Sequence, residues 1–378
     1  MTNLSIFSIC INIILVGTVY SAPTSTTTNT ASDVGRWVET ASLAVGGTGH
    51  TSTLLPDGRV ITLGGNAGGN IVEFYNSTTR TWNRGPSMLN ARSYHSATLL
   101  PDGRLFVTGG YYYNAAIKTA EIYNPVSNTW TSVSNMNSGR YGHQAVYLPS
   151  PMNKILIMGG YGGDSSQTTF LQSCELYDFV SNKWTTTTPM INARVYFSAE
   201  YLLSMNMVVA IGGGGDNSAE MFDVSTLKWT RSLNTIPLGY RSDHTVTLLP
   251  NGQFLIAGGG QDTIANYLFD PTTKLFRSAA NITQGRITPT ATLLPSGSVL
   301  LSGGMLGNGV MYRSAEIYDF RFNTWRSVAD MNIARFRHTS VVFSNCSSSL
   351  PTTVLVIAGQ KDWSGTPFAS CELLTINA

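Results

Sequence analysis

Apolar and polar positions alternate along most of this chain in short runs, a period of two that predicts half-buried β-strands rather than helices. The stretch from Arg92 to Trp130 shows the unit. Arg92 is followed by Tyr94-His95, by the run SATLLPDGRLFVTGG and, after a loop, by AEIYNPVSNTW. Pro101-Asp102-Gly103 lies between two alternating segments and is tight-turn chemistry, so the first two strands form a hairpin. The second strand ends at Gly109-Gly110, where the chain can take positive φ and admit another backbone closely. Ala120 to Tyr123 and Thr129 to Val133 then read as a second hairpin across Asn124 to Asn128. One unit is four antiparallel strands in about 45 to 50 residues.

The unit recurs in register. The diglycine reappears at Gly64-Gly65, Gly159-Gly160, Gly212-Gly213, Gly258-Gly259 and Gly303-Gly304, with Ala358-Gly359 as a weakened copy. Third strands carry Glu73, Glu121, Glu175, Glu220, Glu316 and Glu372. Nine residues after this position stands an aromatic: Trp82, Trp130, Trp184, Trp229, Phe276 and Trp325. An arginine precedes the first strand at 92, 140, 194, 241, 286 and 335. The histidines all open first strands, at 50, 95, 143, 244 and 338, with Phe197 and Pro289 in the other two slots.

Arginine, diglycine, Glu-x-Tyr and tryptophan recurring together resemble the kelch repeat, from about Arg36 to the C-terminus. The resemblance implies an all-β, seven-bladed kelch-type β-propeller with four antiparallel strands per blade. The last repeat lacks a fourth strand, and the orphan segment around Trp37 lacks a preceding diglycine. The seventh blade is therefore expected to be closed by the N-terminal strand around Trp37, which removes the free edge of an open sheet.

Composition adds an address. Residues 1–22 hold an apolar run ending at Tyr20-Ser21-Ala22 and read as a secretory signal peptide; 23–32 are a Thr/Ser-rich linker, and 33–378 the propeller. A secreted, extracellular product follows, with no membrane attachment after cleavage. Charged residues make up 12% of the chain and the net charge is +2, which disfavours nucleic acid as a partner. Sequons at Asn76, Asn281 and Asn345 fall in turns or loops and read as glycosylation positions. Cys174, Cys346 and Cys371 remain after cleavage; with Cys346 and Cys371 at opposite ends of their blade, buried free thiols are the simpler reading.

Function should sit where loops vary. First-to-second and third-to-fourth turns are short and repetitive, whereas second-to-third and blade-to-blade loops differ between repeats and emerge on the other face. Tyr94, Tyr111, Tyr112, Tyr161, Asp216, Asp243 and Trp363 lie on that face and are the candidate binding residues. Aromatic rings beside amides and carboxylates suit an extracellular protein or a glycan. The repeated Arg, Glu and His residues read as structural, the Arg–Glu pairs holding neighbouring blades in register. No catalytic motif is visible, so a monomeric, non-enzymatic binding module without a cofactor is expected.

One further resemblance points elsewhere. Tyr94-His95 before SATLLPDGR is similar to the copper-ligand strand of copper-radical oxidases of the galactose oxidase and glyoxal oxidase type, whose catalytic domain is a seven-bladed kelch propeller. It would make Tyr94 and His95 copper ligands. That chemistry also needs a second tyrosine cross-linked to a cysteine near the channel, and no mature cysteine precedes a first strand.

Overall fold

The computed structural model describes residues 35–163, 169–237, 243–260, 263–343, 351–362 and 367–376; the signal peptide, the linker, Arg241, Asn345, Cys346 and Trp363 lie outside them. The described chain forms seven four-stranded antiparallel sheets, plus two small two-stranded ones in loops. First strands, innermost in each blade, are Thr51–Leu54, Ser96–Leu99, Gln144–Leu148, Ser198–Leu202, His244–Leu248, Thr290–Leu293 and Thr339–Phe343, opening blades 1 to 7. Six blades are built from consecutive strands. The seventh takes its outermost strand from the other end of the chain: Arg36–Thr40 pairs with Cys371–Ile376, setting Trp37 opposite Leu374. This is the register in which Tyr123 faces Trp130 and Tyr318 faces Trp325, so the orphan segment supplies the missing fourth strand.

Burial explains the alternation. Second strands such as Leu105–Thr108 are buried at every position, because both faces meet a neighbouring blade. Fourth strands such as Thr129–Val133 are largely exposed and keep alternating threonine and serine outward. The core is accordingly divided into interblade layers. Ile61, Leu63 and Phe74 of blade 1 pack on Leu105, Val107 and Tyr123 of blade 2. Trp37, Val354, Val356 and Leu374 of blade 7 pack on Leu300, Ile317 and Val328 of blade 6. Cys174 and Cys371, both free, sit buried at third-strand starts, where burial pushes their thiols up to about 12 and about 11.

The repeated polar residues form a frame, with one difference from the expectation above. Arg92 is buried and reaches Gly109 O, Thr119 O (3.2 Å) and the Glu121 carboxylate (2.6 Å), all within blade 2. Glu121 in turn accepts the Leu89 and Asn90 amides of the connection arriving from blade 1. Trp130 Nε1 donates to Pro86 O of the same connection at 2.9 Å. The Arg–Glu pair therefore clasps an incoming linker to the blade it enters and does not bridge two blades. The histidines add side-chain bonds that do run from blade to blade. His50 Nε2 meets Thr339 Oγ1, His95 meets Thr51, His143 meets Thr108 and His338 meets Ser302, each hydroxyl belonging to the preceding blade.

The diglycine fits between these parts. A Cβ on Gly109 would lie 2.7 Å from the His143 ring of the next blade, and one on Gly110 would lie 3.1 Å from His95 Cβ of its own. The Gly110 amide donates to Arg140 O of the next blade at 2.8 Å. Both residues are needed because two backbones and two side chains converge there.

Candidate functional site: a ring of left-handed residues at the channel mouth

On the loop face, the residue just before each first-strand histidine, or its Phe or Pro substitute, forms a circle around the central axis. Its members are Gly49, Tyr94, Gly142, Tyr196, Asp243, Thr288 and Arg337, all left-handed, with φ of 67, 52, 60, 50, 58, 48 and 53°. Backbone bonds join neighbours across blades: Tyr94 N–H to Gly49 O at 2.7 Å, Gly142 to Tyr94 at 2.9 Å, Tyr196 to Gly142 at 3.0 Å and Thr288 to Asp243 at 2.9 Å. Glycine would adopt this geometry freely, whereas each side-chain-bearing residue pays roughly 1–2 kcal/mol. A β-branched residue such as Thr288 is especially unusual there. Strain of this kind persists where the side chain is used.

The ring has two unlike halves. In blades 1 to 4 glycine and tyrosine alternate, and each tyrosine lies over the glycine before it. A Cβ on Gly49 would come within 3.1 Å of the Tyr94 ring, and one on Gly142 within 2.9 Å of Tyr196. Tyr94 and Tyr196 meet edge to face at 5.9 Å. Around them Tyr111 contacts Tyr141 at 4.9 Å, Tyr141 stacks on Tyr161 at 5.0 Å, and Tyr161 meets both Tyr196 and Phe170. Two short loop hairpins hold this wall, Tyr111–Tyr112 with Ala115–Ala116 and Tyr161–Gly162 with Thr169–Phe170. Burial and the neighbouring phenols push Tyr141 and Tyr196 upward, so both stay neutral and able to donate.

Blades 5 to 7 contribute Asp243, Thr288 and Arg337. Arg337, half-exposed, lies 5.7 Å from the Phe336 ring centre, and its charge is near enough to Tyr196 to act on that phenol. Those residues stand three places apart in the ring. The Thr288 hydroxyl is buried without a hydrogen-bond partner among the described residues. Below the mouth, Glu200 on the innermost strand of blade 4 is open to water yet surrounded by protein, and burial pushes its carboxyl up to about 7.

The residues singled out in the sequence fare differently. Tyr94, Tyr111 and Tyr161 converge in the aromatic wall, and Asp243 joins the ring beside them. Tyr112 is displaced from the wall and pairs with the exposed Tyr113 at 4.4 Å. Asp216 is buried; its carboxylate holds Arg231 at 3.1 Å and the Ser218 amide at 2.6 Å, leaving it no part in the mouth. Trp363 and Asn345 fall outside the described residues, while Asn76 ends a third strand and its side chain accepts from the turn amide of Thr78, and Asn281 is exposed. Tyr141, Tyr196, Thr288 and Arg337 were not anticipated. Tyr196, Thr288 and Arg337 share one offset from the histidine slot, the signal that finds them, and Tyr141 stands one place earlier in its repeat.

A copper centre was tested against these residues. His95 is buried between blades with Nε2 on Thr51, and burial with nearby Arg92 holds its pKa well below the usual range. Among the described residues no three His, Cys, Asp or Glu side chains gather as a metal-holding group. Cys174 and Cys371 are both buried at third-strand starts. Among the described residues Tyr94 and His95 have no such partners, and the residues described do not by themselves fit a radical copper site.

Comparison with known proteins agrees with this architecture. Residues 91–137, 153–191 and 295–332 match the kelch motif. Half of the chain aligns with kelch repeat-containing protein kel-10 of Caenorhabditis elegans at 27% identity over 33% of that protein, and half with human kelch-like protein 23 at 26% over 42%. The chain thus spans well under half the length of these relatives. In fold it is similar to a fungal alcohol oxidase of the AA5 family solved with copper, at a TM-score of 0.72 and 16% identity over 91% of this chain and 76% of the other. The protein is a seven-bladed β-propeller in which three stretches match the kelch motif.

Proposed function

We propose that this propeller is a secreted, non-catalytic binding module that captures an extracellular protein or glycan at the channel mouth. The observation that carries the reading is the ring: Tyr94, Tyr196, Asp243, Thr288 and Arg337 hold left-handed backbones where glycine would be unstrained. A scaffold with no use for those side chains would gain stability by losing them. The kelch relatives support an interaction role, since such propellers present loops from a rigid frame. Secretion rests on the apolar leader and the sequons at Asn76, Asn281 and Asn345.

The test is a screen of extracellular proteins and glycans against the chain recovered from culture medium, repeated with Tyr94→Ala/Tyr196→Ala. Partners that bind the wild type and lose the double variant support the reading. Partners whose binding is unchanged would place the interaction elsewhere.

A further inference from the structure

The geometry points to Asn76 as the anchor of an N-linked glycan whose first N-acetylglucosamine is bedded in a cleft between blades 1 and 2, on the face opposite the channel mouth. The inference rests on the export proposed above, but on neither the mouth nor its ligand.

Asn76 ends the third strand of blade 1, at a position with a fixed task. At Asn76, Asn124, Asp178, Asp223, Asp270 and Asp319 alike, a side-chain oxygen accepts from amides of the following turn. Asn76 Oδ1 takes Thr78 N–H at 2.9 Å and Thr79 N–H at 3.1 Å. Aspartate serves at four of the six positions, so the frame asks only for the oxygen. The Asn76 nitrogen makes no hydrogen bond among the described residues, and the exposed Thr78 completes its sequon. Asn124, the other amide at this position, is followed by proline and forms none. Attachment replaces one N–H of Asn76 by a bond to the anomeric carbon of the sugar. The C1–O bond to a lipid-linked diphosphate donor breaks, the diphosphate leaves with the electron pair, and the amide proton is lost to a base. Oδ1 keeps its turn bonds throughout.

The nitrogen borders a seat for one sugar. Strand alternation puts Asn76 on the same face as Phe74, whose ring lies 5.8 Å from that of Tyr123 in blade 2. Asn83 stands opposite Phe74 in the register. With Arg84, and with Asn128 of blade 2, these residues line a cleft of about 180 Å³. That is below the roughly 300–1,000 Å³ of sites for larger ligands and suits a single ring. Arg59 covers the Phe74 ring at 4.5 Å and is tied to Asp57, so it forms wall. The Asn83 amide, Asn128 Nδ2 and the Arg84 guanidinium make no hydrogen bonds among the described residues, and no carboxylate lines the cleft. Such a set of donors calls for oxygen acceptors, which the hydroxyls and acetamido carbonyl of N-acetylglucosamine supply. Tethering to Asn76 holds the ring at high effective concentration, so modest contacts suffice to seat it.

The experiment recovers the full chain from the medium of secreting eukaryotic cells and reads each sequon by glycopeptide mass spectrometry. Asn76 is expected to be occupied. A peptide-N-glycosidase should release this glycan from the folded protein about 10-fold more slowly than from folded Asn83→Ala/Arg84→Ala, because the seated sugar must first leave the cleft. Both residues are exposed, so the variant keeps the fold. Thr78→Ala, which removes the sequon and leaves the turn amide in place, should lower the melting midpoint by roughly 2 °C, and Thr78→Ser should restore it. Equal release from wild type and double variant overturns the seat. An exported chain with Asn76 bare overturns the inference and leaves the secretion reading standing. A chain retained in the cell with every sequon bare overturns both.

Discussion

Tyr196 lies across Gly142, its preceding neighbour in the ring, so closely that a Cβ there would stand 2.9 Å from the ring carbon Cε1. The amide of Tyr196 also donates to the carbonyl of Gly142 at 3.0 Å. One small residue thus fixes both the backbone circle and the aromatic floor above it. Gly142→Ala is expected to lift Tyr196 and weaken mouth binding by at least about tenfold, with a stability loss of about 1–2 kcal/mol from the left-handed backbone. Calorimetry and urea denaturation read the two effects separately.

The opposite substitution tests whether the ring is strained for use. Thr288→Gly removes a β-branched residue from φ 48°. A net stabilisation of about 1 kcal/mol is expected in denaturant melts, the strain relieved less the entropy lost to glycine. A destabilised variant would mean that Thr288 serves the fold.

The linker clasp should be intolerant of half measures. Arg92 and Glu121 are both inaccessible to solvent and meet at 2.6 Å. Glu121→Ala leaves a buried guanidinium without its partner and two linker amides unsatisfied, at a cost of about 3–5 kcal/mol. Urea midpoints and limited proteolysis between Gly85 and Asn90 check this, cleavage being expected to rise in the variant.

Closure of the ring gives a third stability test. Trp37 is 5% exposed and its Nε1 donates to Ala329 O at 2.7 Å. Trp37→Ala is expected to cost about 3–5 kcal/mol, as for large-to-small changes elsewhere in cores. A cost near zero in equilibrium denaturation would show that the seventh blade holds without its last strand.

Acid should weaken the propeller through its histidines. Burial lowers His50 to about 4 and holds His95, His143 and His338 well below the usual 6.5. Between about 6.5 and 4 the unfolded chain binds protons that the folded one refuses, so each such group contributes stability above 6.5 that falls by about 1.4 kcal/mol per pH unit below it. Glu200 works against this trend. Its raised pKa, about 7, means that stability is lost as pH rises from 4.5 toward 7. Denaturation across this range should therefore steepen in Glu200→Gln and flatten in His143→Gln.

Copper loading should leave the purified protein without stoichiometric metal and without peroxide production from alcohols or aldehydes. Near-stoichiometric copper lost in His95→Ala would reinstate the oxidase reading.

Much of this was legible in the sequence because the frame repeats. Seven copies of one pattern carry blade number, strand order and the role of Trp37 in the sequence itself. Arg92 and Glu121 were also visible, but not which elements they join; that depends on where the linker runs, which spacing does not record. The mouth was legible only in part. Tyr94, Tyr161 and Asp243 stood out by residue type and loop position, whereas Thr288 and Arg337 look ordinary in sequence. What makes them unusual is a backbone angle and a neighbour in another blade, neither of which leaves a composition signal. Asp216 misled for the complementary reason, since nothing local shows that Arg231 and the Ser218 amide occupy its carboxylate.

The borrowed strand at Arg36–Thr40 has a bearing on how the molecule is made. Six blades can assemble from neighbouring stretches, but the seventh needs two segments far apart in sequence, Arg36–Thr40 and Cys371–Ile376. Until the strand at Cys371–Ile376 arrives, the earliest segment has no sheet to join and the nearly finished ring keeps an open edge. Pairing across so great a sequence distance is slow compared with hairpin formation. Closure of the ring is thus expected to wait for the Cys371–Ile376 strand, without which Arg36–Thr40 has no partner and one blade keeps an open edge.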